Sequence, residues 1–170
     1  AANKAIKDSN INQETLDYII VAHNFGDISC NSSQIDTLPS LSSRVKTILK
    51  IKNPKCVAYD IICGCPGWVE GVIQAKSFIK SGMANKCLVI GSDTLSRVTD
   101  DNDRDSMIYA DGSGAIILES NNSDDSGILS HNSATYTFEG ENEFIYYGSS
   151  YNPKLSKDSN QKYIKMQGRK

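Results

Sequence analysis

The amino-acid sequence predicts an α/β fold in which helices pack against a β-sheet. Short apolar runs rich in β-branched residues alternate with longer segments whose apolar residues recur every three or four positions. The resulting order of strand, helix, strand, helix and strand is typical of a layered fold with right-handed crossovers. The composition, 39% hydrophobic and 22% charged over 170 residues, is that of an ordinary globular domain.

The first two elements are a helix and a strand. Residues 1–9 place their apolar side chains on one helical face, and Asn10 is suited to end that helix. Residues 17–22 form a short apolar run, which predicts a buried strand.

A second helix and a second strand follow. Apolar residues recur at helical spacing at Leu38, Leu41, Val45, Ile48 and Leu49. Pro39 suits the first helical turn, and the Asn53-Pro54 pair is expected to break the helix. Residues 56–61 predict the next strand.

A third helix is predicted over residues 66–80, with Gly82 in the C′ position just beyond its end. One stripe of this helix is apolar and contains Trp68, Val72, Ala75 and Ile79. Residues 87–90 and 115–119 predict two more buried strands. The helix between strands is therefore expected to be buried on at least one face.

The C-terminal part of the chain carries weaker patterns. Turn-forming residues dominate from 121 to 127, and residues 127–135 and 144–147 are only weakly β-like. Residues 149–161 are polar and are expected to form a loop or connector. Because both ends lack a typical entry or exit segment, we expect a piece of a longer protein.

Composition excludes several function classes. Lys and Arg total 18 against 20 Asp and Glu, so the net charge of −2 lacks the basic footprint of a nucleic-acid binder. The sequence contains no apolar run long enough to cross a membrane and no signal-peptide pattern. Five unevenly spaced cysteines do not suggest a secreted disulfide framework. We therefore expect a cytoplasmic protein.

One cysteine occupies a position suited to chemistry. In YDIICGCPGWVEG (59–71), Cys65 joins a strand to a helix and falls where the N-cap is expected, with Pro66 at the first helical position. The positive end of the helix dipole favours a thiolate there, and a thiolate is the nucleophilic form. Glycines at 64, 67 and 71 leave room for close backbone approach.

One other interpretation of this cysteine is open, and a second is not supported. Cys65 is alternatively a buried small apolar residue, as Cys56 and Cys87 are expected to be within their strands. The pair Cys63 and Cys65 supplies only two metal ligands with no second pair nearby, so we expect no metal site.

Three segments together resemble a known family. They are YDIICGCPGWVEG (59–71), SGMANKCLVIGSDTLSRVTD (81–100) and DRDSMIYADGSGAIILE (103–119). In order and spacing they are similar to the core motifs of 3-oxoacyl-[acyl-carrier-protein] synthase III, a condensing enzyme of the thiolase fold. The resemblance implies one half of an αβαβα architecture, with a mixed sheet and a buried central helix. It implies that residues 1–148 are the N-terminal half without its first strands, and that 149–170 lead to a second half.

The resemblance also implies an activity and site residues. Cys65 matches the cysteine that accepts the acyl group of an acyl-CoA, before malonyl-acyl carrier protein decarboxylates and takes that group to give a 3-oxoacyl product that starts fatty acid elongation. Arg104 matches the arginine that contacts the CoA adenine. Leu38 falls near a position that reaches into the acyl pocket of a partner subunit. Residues 111–114 match a glycine-rich turn beside the site.

The same resemblance implies a homodimer that uses acyl-CoA and an acyl carrier protein and holds no bound cofactor. The family's histidine and asparagine, which support decarboxylation, match neither His23 nor His131, so this chain alone is expected to be inactive. A structural or solvent-facing role is expected for His23. Pro66 and Trp68 depart from the commoner residues of the motif.

Alternative functions are open. One is a related acyltransferase of a secondary pathway, such as polyketide, pigment or quinolone assembly. Another is a non-catalytic subunit that pairs with an active homologue.

Two charged segments are expected to lie at the surface. Residues 100–105 are expected to form a solvated loop. The basic residues near the C-terminal end are expected to form either a solvated end or a contact for an acidic carrier protein: Lys162, Lys165, Arg169 and Lys170.

Overall fold

The protein is described by a computed structural model that covers residues 1–29, 34–121, 127–137, 144–158 and 161–168. Contacts divide the chain into two compact units. Unit 1 consists of Ala1–Asp27, Asp36–Asp93 and Gly112–Ser133. Unit 2 consists of Ile28–Ile35, Thr94–Asp111 and Ala134–Lys170.

The helices and strands appear in the predicted alternation. The helices are α1 (Ala2–Ser9), α2 (Leu41–Ile48), α3 (Gly67–Lys80) and α4 (Pro153–Asp158). The first six strands are β1 (Tyr18–His23), β2 (Asp27–Ile28), β3 (Ile35–Asp36), β4 (Val57–Ile62), β5 (Lys86–Thr94) and β6 (Asp111–Glu119). The last two strands are β7 (Ile145–Gly148) and β8 (Tyr163–Met166).

Unit 1 is built on a four-stranded sheet in the order β4-β1-β5-β6. Strand β1 is parallel to both neighbours, with Tyr18 opposite Val57 of β4 and Cys87 of β5. A strand paired on both edges and covered on both faces must be apolar throughout. The run IIVA in β1, buried along its whole length, satisfies that requirement.

Helices cover both faces of this sheet. Ile19 and Val21 of β1 join a core with Leu88 and Ile90 of β5, on the face that α1 and α2 cover. The intervening residue, Ile20, packs on the opposite face. That second core also contains Val89 and Ala75, with Trp68, Val72, Phe78 and Ile79 of α3 packed around it. The predicted apolar stripe of the third helix is thus confirmed.

Helices α2 and α3 of unit 1 end in the same way. Gly82 lies beyond α3 with φ of 75°, and the N–H of Met83 donates to the carbonyl of Phe78 at 2.9 Å. This confirms the predicted C′ glycine. After α2, Lys50 adopts φ of 57° and the N–H of Ile51 donates to Lys46 at 3.2 Å.

The second helix therefore ends earlier than predicted. The sequence placed the break at Asn53-Pro54, but the chain turns at Lys50 and buries Ile51 in the core. Pro39 also lies outside the helix, because Ser40 is the N-cap and its Oγ accepts from the N–H of Ser43 at 3.2 Å. Burial of an apolar residue and a serine cap together set the two ends.

Unit 2 contains the β7–β8 pair and two short 3₁₀ turns. The strands are antiparallel, with Ile145 opposite Met166. The N–H of Ile164 in β8 donates to the carbonyl of Val98 at 2.8 Å, which joins the strand pair to the segment after β5. The 3₁₀ turns are Leu95–Arg97 and Arg104–Ile108.

Several local predictions for the later part of the chain are wrong. Residues 127–135 form no strand within the described range 127–137. The polar segment 149–161 contains helix α4 and is not entirely loop. The turn-rich residues 122–126 and part of that polar segment, 159–160, lie outside the described residues. The boundary predicted between 148 and 149 stays a prediction.

Over the described residues, none of the helices combines the length and apolar character that crossing a bilayer requires.

Candidate active site

Cys65 lies in the turn between β4 and α3. The N–H of Gly67 donates to the carbonyl of Gly64 at 3.1 Å, and the N–H of Glu70 donates to the carbonyl of Pro66 at 3.1 Å. The second of these bonds is the first of the helix, which makes Pro66 the N-cap. The side chain of Cys65 is exposed.

The predicted cap position of this cysteine is wrong by one residue. The carbonyl of Pro66, rather than that of Cys65, accepts the first helical bond, so Cys65 precedes the N-cap. It remains next to the positive end of the α3 dipole. The alternative of a core thiol fits Cys56 and Cys87, which are buried, and does not fit Cys65. Burial raises the pKa of Cys87 to about 12.

Two glycines hold the start of α3 against the sheet. A Cβ on Gly67 would lie 3.2 Å from the Cβ of Ala22, at the end of β1. A Cβ on Gly71 would lie 3.0 Å from Cγ1 of Val89, which is closer than side chains normally pack. The predicted close backbone approach is confirmed at these two positions, and it places the turn of Cys65 at the carboxyl end of β1.

The carboxylate of Asp60, which is 11% exposed, lies five residues before this cysteine. Oδ1 of Asp60 accepts from the N–H of Ser42 at 2.8 Å, and Oδ2 accepts from the N–H of Leu41 at 2.8 Å. Nε2 of His23 lies 3.0 Å from the same Oδ2. Burial by itself raises the pKa of Asp60, but these hydrogen bonds outweigh it and hold the pKa below its ordinary value.

The orientation of His23 follows from its second nitrogen. Nδ1 accepts a hydrogen bond from the N–H of Gly26 at 2.9 Å, so the proton of a neutral ring is on Nε2 and is donated to Asp60. His23 is only 2% exposed. The solvent-facing alternative for this histidine is wrong, and its contacts with Asp60 and Gly26 fit the structural role.

Leu38 lies on an exposed segment just before α2, and its side chain is 86% exposed. Arg44 of α2 fastens this segment. Its Nε donates to the carbonyl of Pro39 at 3.0 Å, and its Nη2 donates to Asp36 at 2.6 Å and to the carbonyl of Leu38 at 3.3 Å. Nη1 also donates to Asp27 at 3.3 Å. The backbone around Leu38 is thus held while its side chain faces outward.

Arg104 is the first residue of a 3₁₀ turn in unit 2, and it is exposed. Oδ1 of Asp103 accepts from the N–H of Asp105 at 3.0 Å and so caps this turn. Cys65 and Leu38 belong to unit 1, whereas Arg104 belongs to unit 2. Each predicted site residue is therefore exposed on its own unit.

The loop predicted to be solvated over residues 100–105 is exposed at Asp101, Asn102 and Arg104 but begins with a buried charge. Asp100 is 1% exposed and Lys165 is 3% exposed. Nζ of Lys165 lies 2.7 Å from Asp100 and 3.1 Å from Asp103. Lys165 is consequently not part of a solvated basic end, because β8 carries it inward; Arg169 and Lys170 lie outside the described residues.

Residues 111–114 are not a turn. They open strand β6, and within the described residues a Cβ on Gly112 or Gly114 would meet no atom within 4 Å. Asp111 instead accepts from the N–H and the hydroxyl of Ser96 at 2.9 and 2.7 Å. The extended pairing of β6 with β5 overrides the turn preference of glycine.

A cavity of about 400 Å³ opens in unit 1 between α1, α2 and the sheet. Its walls include Val21, Leu41, Val45 and Ile90, and Arg44 lies at its edge. Cys65 is not among its lining residues. Over the described residues, no three His, Cys, Asp or Glu side chains gather closely enough to hold a metal ion.

Comparison with known proteins identifies the family. The sequence profile described as 3-Oxoacyl-[acyl-carrier-protein (ACP)] synthase III matches residues 59–137. The chain is 37% identical over 131 residues to the beta-ketoacyl-[acyl-carrier-protein] synthase III of Ehrlichia ruminantium (strain Gardel), which covers 76% of this chain and 38% of that protein. It is 39% identical over 133 residues to the protein of that name from Ehrlichia canis (strain Jake), covering 78% and 39%.

A solved structure of a protein with this name has a similar fold. The crystal structure of 3-oxoacyl-[acyl-carrier-protein] synthase III from Aquifex aeolicus VF5 superposes with a TM-score of 0.70 and 31% identity, covering 99% of this chain and 47% of that one. The chain belongs to the 3-oxoacyl-[acyl-carrier-protein] synthase III family. The predicted family and its thiolase-like α/β fold are confirmed. The chain spans 38% and 39% of the two relatives in sequence, so the activity of the whole protein is a proposal.

Two polar clusters of this synthase III-family chain were not predicted from its sequence. The first is Asp60 with His23, and the second is Lys165 with Asp100. A carboxylate inside the apolar strand CVAYDII and a lysine inside the run YIKM were the available signals, because a charged residue in a buried strand requires a partner. The partners are distant in sequence, which is why periodicity could not identify them.

Proposed function

We propose that the full-length protein containing this chain condenses an acyl-CoA with malonyl-acyl carrier protein, giving 3-oxoacyl-acyl carrier protein and starting fatty acid elongation. The observation that carries this proposal is the exposed thiol of Cys65 at the strand–helix junction of a synthase III-family fold. The other described cysteines are half-buried or buried, so Cys65 is the one presented to a substrate.

Cys65 is the nucleophile of the first step and the leaving group of the second. Its sulfur attacks the thioester carbonyl of the acyl-CoA, the bond to the CoA sulfur breaks, and CoA leaves with the proton. Malonyl-acyl carrier protein then loses CO₂, and the carbanion attacks the acyl-cysteine carbonyl. The new carbon–carbon bond forms as the bond to the Cys65 sulfur breaks, and Cys65 leaves as a thiolate that takes a proton from solvent.

The second step needs groups that stabilise the developing negative charge. The family's histidine and asparagine match no residue of this chain, and His23 is engaged with Asp60. We therefore propose that this chain by itself accepts an acyl group at most and does not complete the cycle. No cofactor takes part, because both substrates carry their own activated thioester or carboxylate.

Arg104 is proposed to bind the CoA portion of the substrate. Its planar guanidinium suits stacking on the adenine ring and pairing with phosphate. The residue is exposed at the start of a capped turn, which leaves the guanidinium free to approach a ligand from solvent.

Leu38 is proposed to line an acyl pocket across a homodimer. Leu38 presents a side chain that is 86% exposed from a backbone that Arg44 holds in place. Insertion into a partner subunit would remove that apolar surface from water.

We also propose a cytoplasmic location, since Cys56, Cys63, Cys65 and Cys87 are free thiols of the kind that a reducing compartment preserves.

The experiment incubates the full-length protein with acyl-CoA and measures its intact mass, followed by peptide mapping. We expect one acyl adduct on the peptide that contains Cys65, lost in Cys65→Ala and retained in Cys63→Ala, the control within the same turn. An adduct that persists in Cys65→Ala, or no adduct in the parent protein, would overturn the proposal.

Profiling the second substrate separates the remaining alternatives. Turnover with malonyl-acyl carrier protein supports the fatty acid reaction. Acylation of Cys65 followed by transfer only to another acceptor would assign the protein to a secondary pathway. A Cys65 thiol that iodoacetamide cannot reach would indicate a non-catalytic subunit.

A further inference from the structure

We propose that Lys165 is a positioning residue for Arg104: from a buried site in unit 2 it holds the two carboxylates that set the backbone on both sides of that arginine. The inference rests on the proposed role of Arg104 toward acyl-CoA. It concerns a residue that touches no substrate itself.

The ammonium group of Lys165 is surrounded by two carboxylates and an aromatic ring. Nζ lies 2.7 Å from Oδ2 of Asp100 and 3.1 Å from Oδ2 of Asp103. It also lies 3.8 Å from the ring centroid of Tyr151, within cation–π range. Two carboxylates and an aromatic face together compensate the loss of water around a side chain that is 3% exposed.

Asp100 organises the turn that leads to Arg104. Its Oδ1 accepts from the N–H of Asn102 at 3.1 Å and from the hydroxyl of Ser150 at 3.0 Å. Its Oδ2 accepts from the N–H of Tyr151 at 2.8 Å as well as from Lys165. Its backbone carbonyl accepts from the N–H of Asp103 at 2.9 Å, which closes the turn.

The carboxylate of Asp103 connects Lys165 to the backbone on the far side of Arg104. One carboxylate oxygen pairs with Lys165, and the other accepts from the N–H of Asp105 at 3.0 Å. The carboxylate of Asp103, the residue before Arg104, is therefore bonded both to Lys165 and to the N–H of Asp105, the residue after it. The backbone of Arg104 has little freedom, while its own side chain stays exposed.

Charge explains why these contacts persist. Burial by itself raises the pKa of Asp100, but Lys165 and the backbone N–H groups hold that pKa far below its ordinary value. Burial by itself lowers the pKa of Lys165, but its two carboxylate partners raise that pKa above the ordinary value. Asp100 and Lys165 are therefore both charged near neutral pH, and without Lys165 the carboxylates of Asp100 and Asp103 would lose the one cation that contacts them both.

The consequence concerns binding rather than chemistry. A side chain presented from an ordered backbone loses less conformational entropy when it meets its ligand. Loosening residues 100–105 should weaken the capture of acyl-CoA by Arg104 and leave the reaction of Cys65 at saturation unchanged.

The experiment measures acylation of Cys65 in the full-length protein as a function of acyl-CoA concentration. Lys165→Met is compared with Lys154→Met, an exposed lysine of α4 in the same unit. We expect Lys165→Met to raise the half-saturating acyl-CoA concentration about tenfold, the effect of losing one well-placed charged contact, with the maximal rate unchanged. Lys154→Met should change neither quantity.

A double variant shows whether the effect passes through Arg104. Arg104→Ala should raise the half-saturating concentration, and adding Lys165→Met to it should change that concentration by less than about twofold. Equal effects of Lys165→Met with and without Arg104 would overturn the inference. If Arg104→Ala alone has no effect, the inference fails while acylation of Cys65 still stands.

A second readout is independent of activity. Amide hydrogen exchange at Asp103 and Asp105 should accelerate in Lys165→Met and stay unchanged in Lys154→Met. Unchanged exchange in Lys165→Met would overturn the inference even if no acylation is ever detected. If Lys165→Met does not fold, Asp103→Asn replaces it, since that variant removes the charge that Lys165 holds beside Arg104 and keeps the Lys165–Asp100 pair; faster exchange at Asp105 and the same loss of acyl-CoA affinity are then expected.

Discussion

The ring of His23 donates from Nε2 to the carboxylate of Asp60 across 3.0 Å, and this pair joins the ends of two neighbouring strands. The same carboxylate accepts from the first N–H groups of α2. Asp60 thus ties together β1, β4 and α2. The segment of Leu38 ends at the start of α2, and the turn of Cys65 follows β4. Asp60 therefore contacts or belongs to the element next to each of these two predicted site segments.

Replacing Asp60 by Asn should destabilise the protein. The amide keeps the shape but loses the charge that accepts from three donors, which is expected to cost about 2–3 kcal/mol near neutral pH. The measurement is the shift of the urea unfolding midpoint of the full-length protein. Asp101→Asn, at an exposed position, is the control and should leave the midpoint unchanged.

The effect of Asp60→Asn should also depend on pH. Since the folded pKa of Asp60 is lowered, its ionisation stabilises the fold above the unfolded pKa of about 3.9, and this stabilisation is lost as the pH falls through the folded pKa. The gap between the parent protein and Asp60→Asn should therefore narrow in acid. A gap that widens on acidification would contradict this account.

Replacing Arg44 by Met should release the backbone around Leu38. The guanidinium fork reaches the carbonyls of Pro39 and Leu38 together, which a lysine could not do. We expect faster amide exchange over residues 36–40 and the same change in acyl-chain preference as in Leu38→Ala. Arg44→Lys should resemble Arg44→Met; full retention of protection in Arg44→Lys would show that charge alone suffices.

Gly71→Ala should separate α3 from the sheet. The added Cβ would lie 3.0 Å from Cγ1 of Val89 and 3.4 Å from Cγ2 of Ile20, two residues of the buried core. Overpacking of this kind is expected to cost about 1–3 kcal/mol, measured as a lower unfolding midpoint. Gly112→Ala, where the added Cβ meets no described atom within 4 Å, should be close to neutral.

Alkylation with iodoacetamide near neutral pH should distinguish the cysteines. Cys65 is exposed, whereas burial raises the pKa of Cys56 and takes that of Cys87 to about 12. Peptide mapping should show Cys65 labelled first, with Cys56 and Cys87 unlabelled until denaturant is added. Early labelling of Cys87 would mean that β5 is not a buried central strand.

The elements of unit 1 could be predicted because their signals are local. The apolar run of β1, the stripe of α3 and the glycine at 82 are properties of neighbouring residues, and each was confirmed within a few positions. Exact ends were less predictable, since α2 stops where Ile51 enters the core rather than at the proline.

The sequence by itself determined the strand–helix junction of Cys65 and the family motifs around it, because both depend on residues adjacent in the chain. Only the tertiary structure decided which charges are buried. Asp60 pairs with a histidine 37 positions earlier, and Lys165 pairs with a carboxylate 65 positions earlier. Such pairs form when folding brings distant segments into a space without water, where a charge is stable only beside its partner, and no periodic pattern records that requirement.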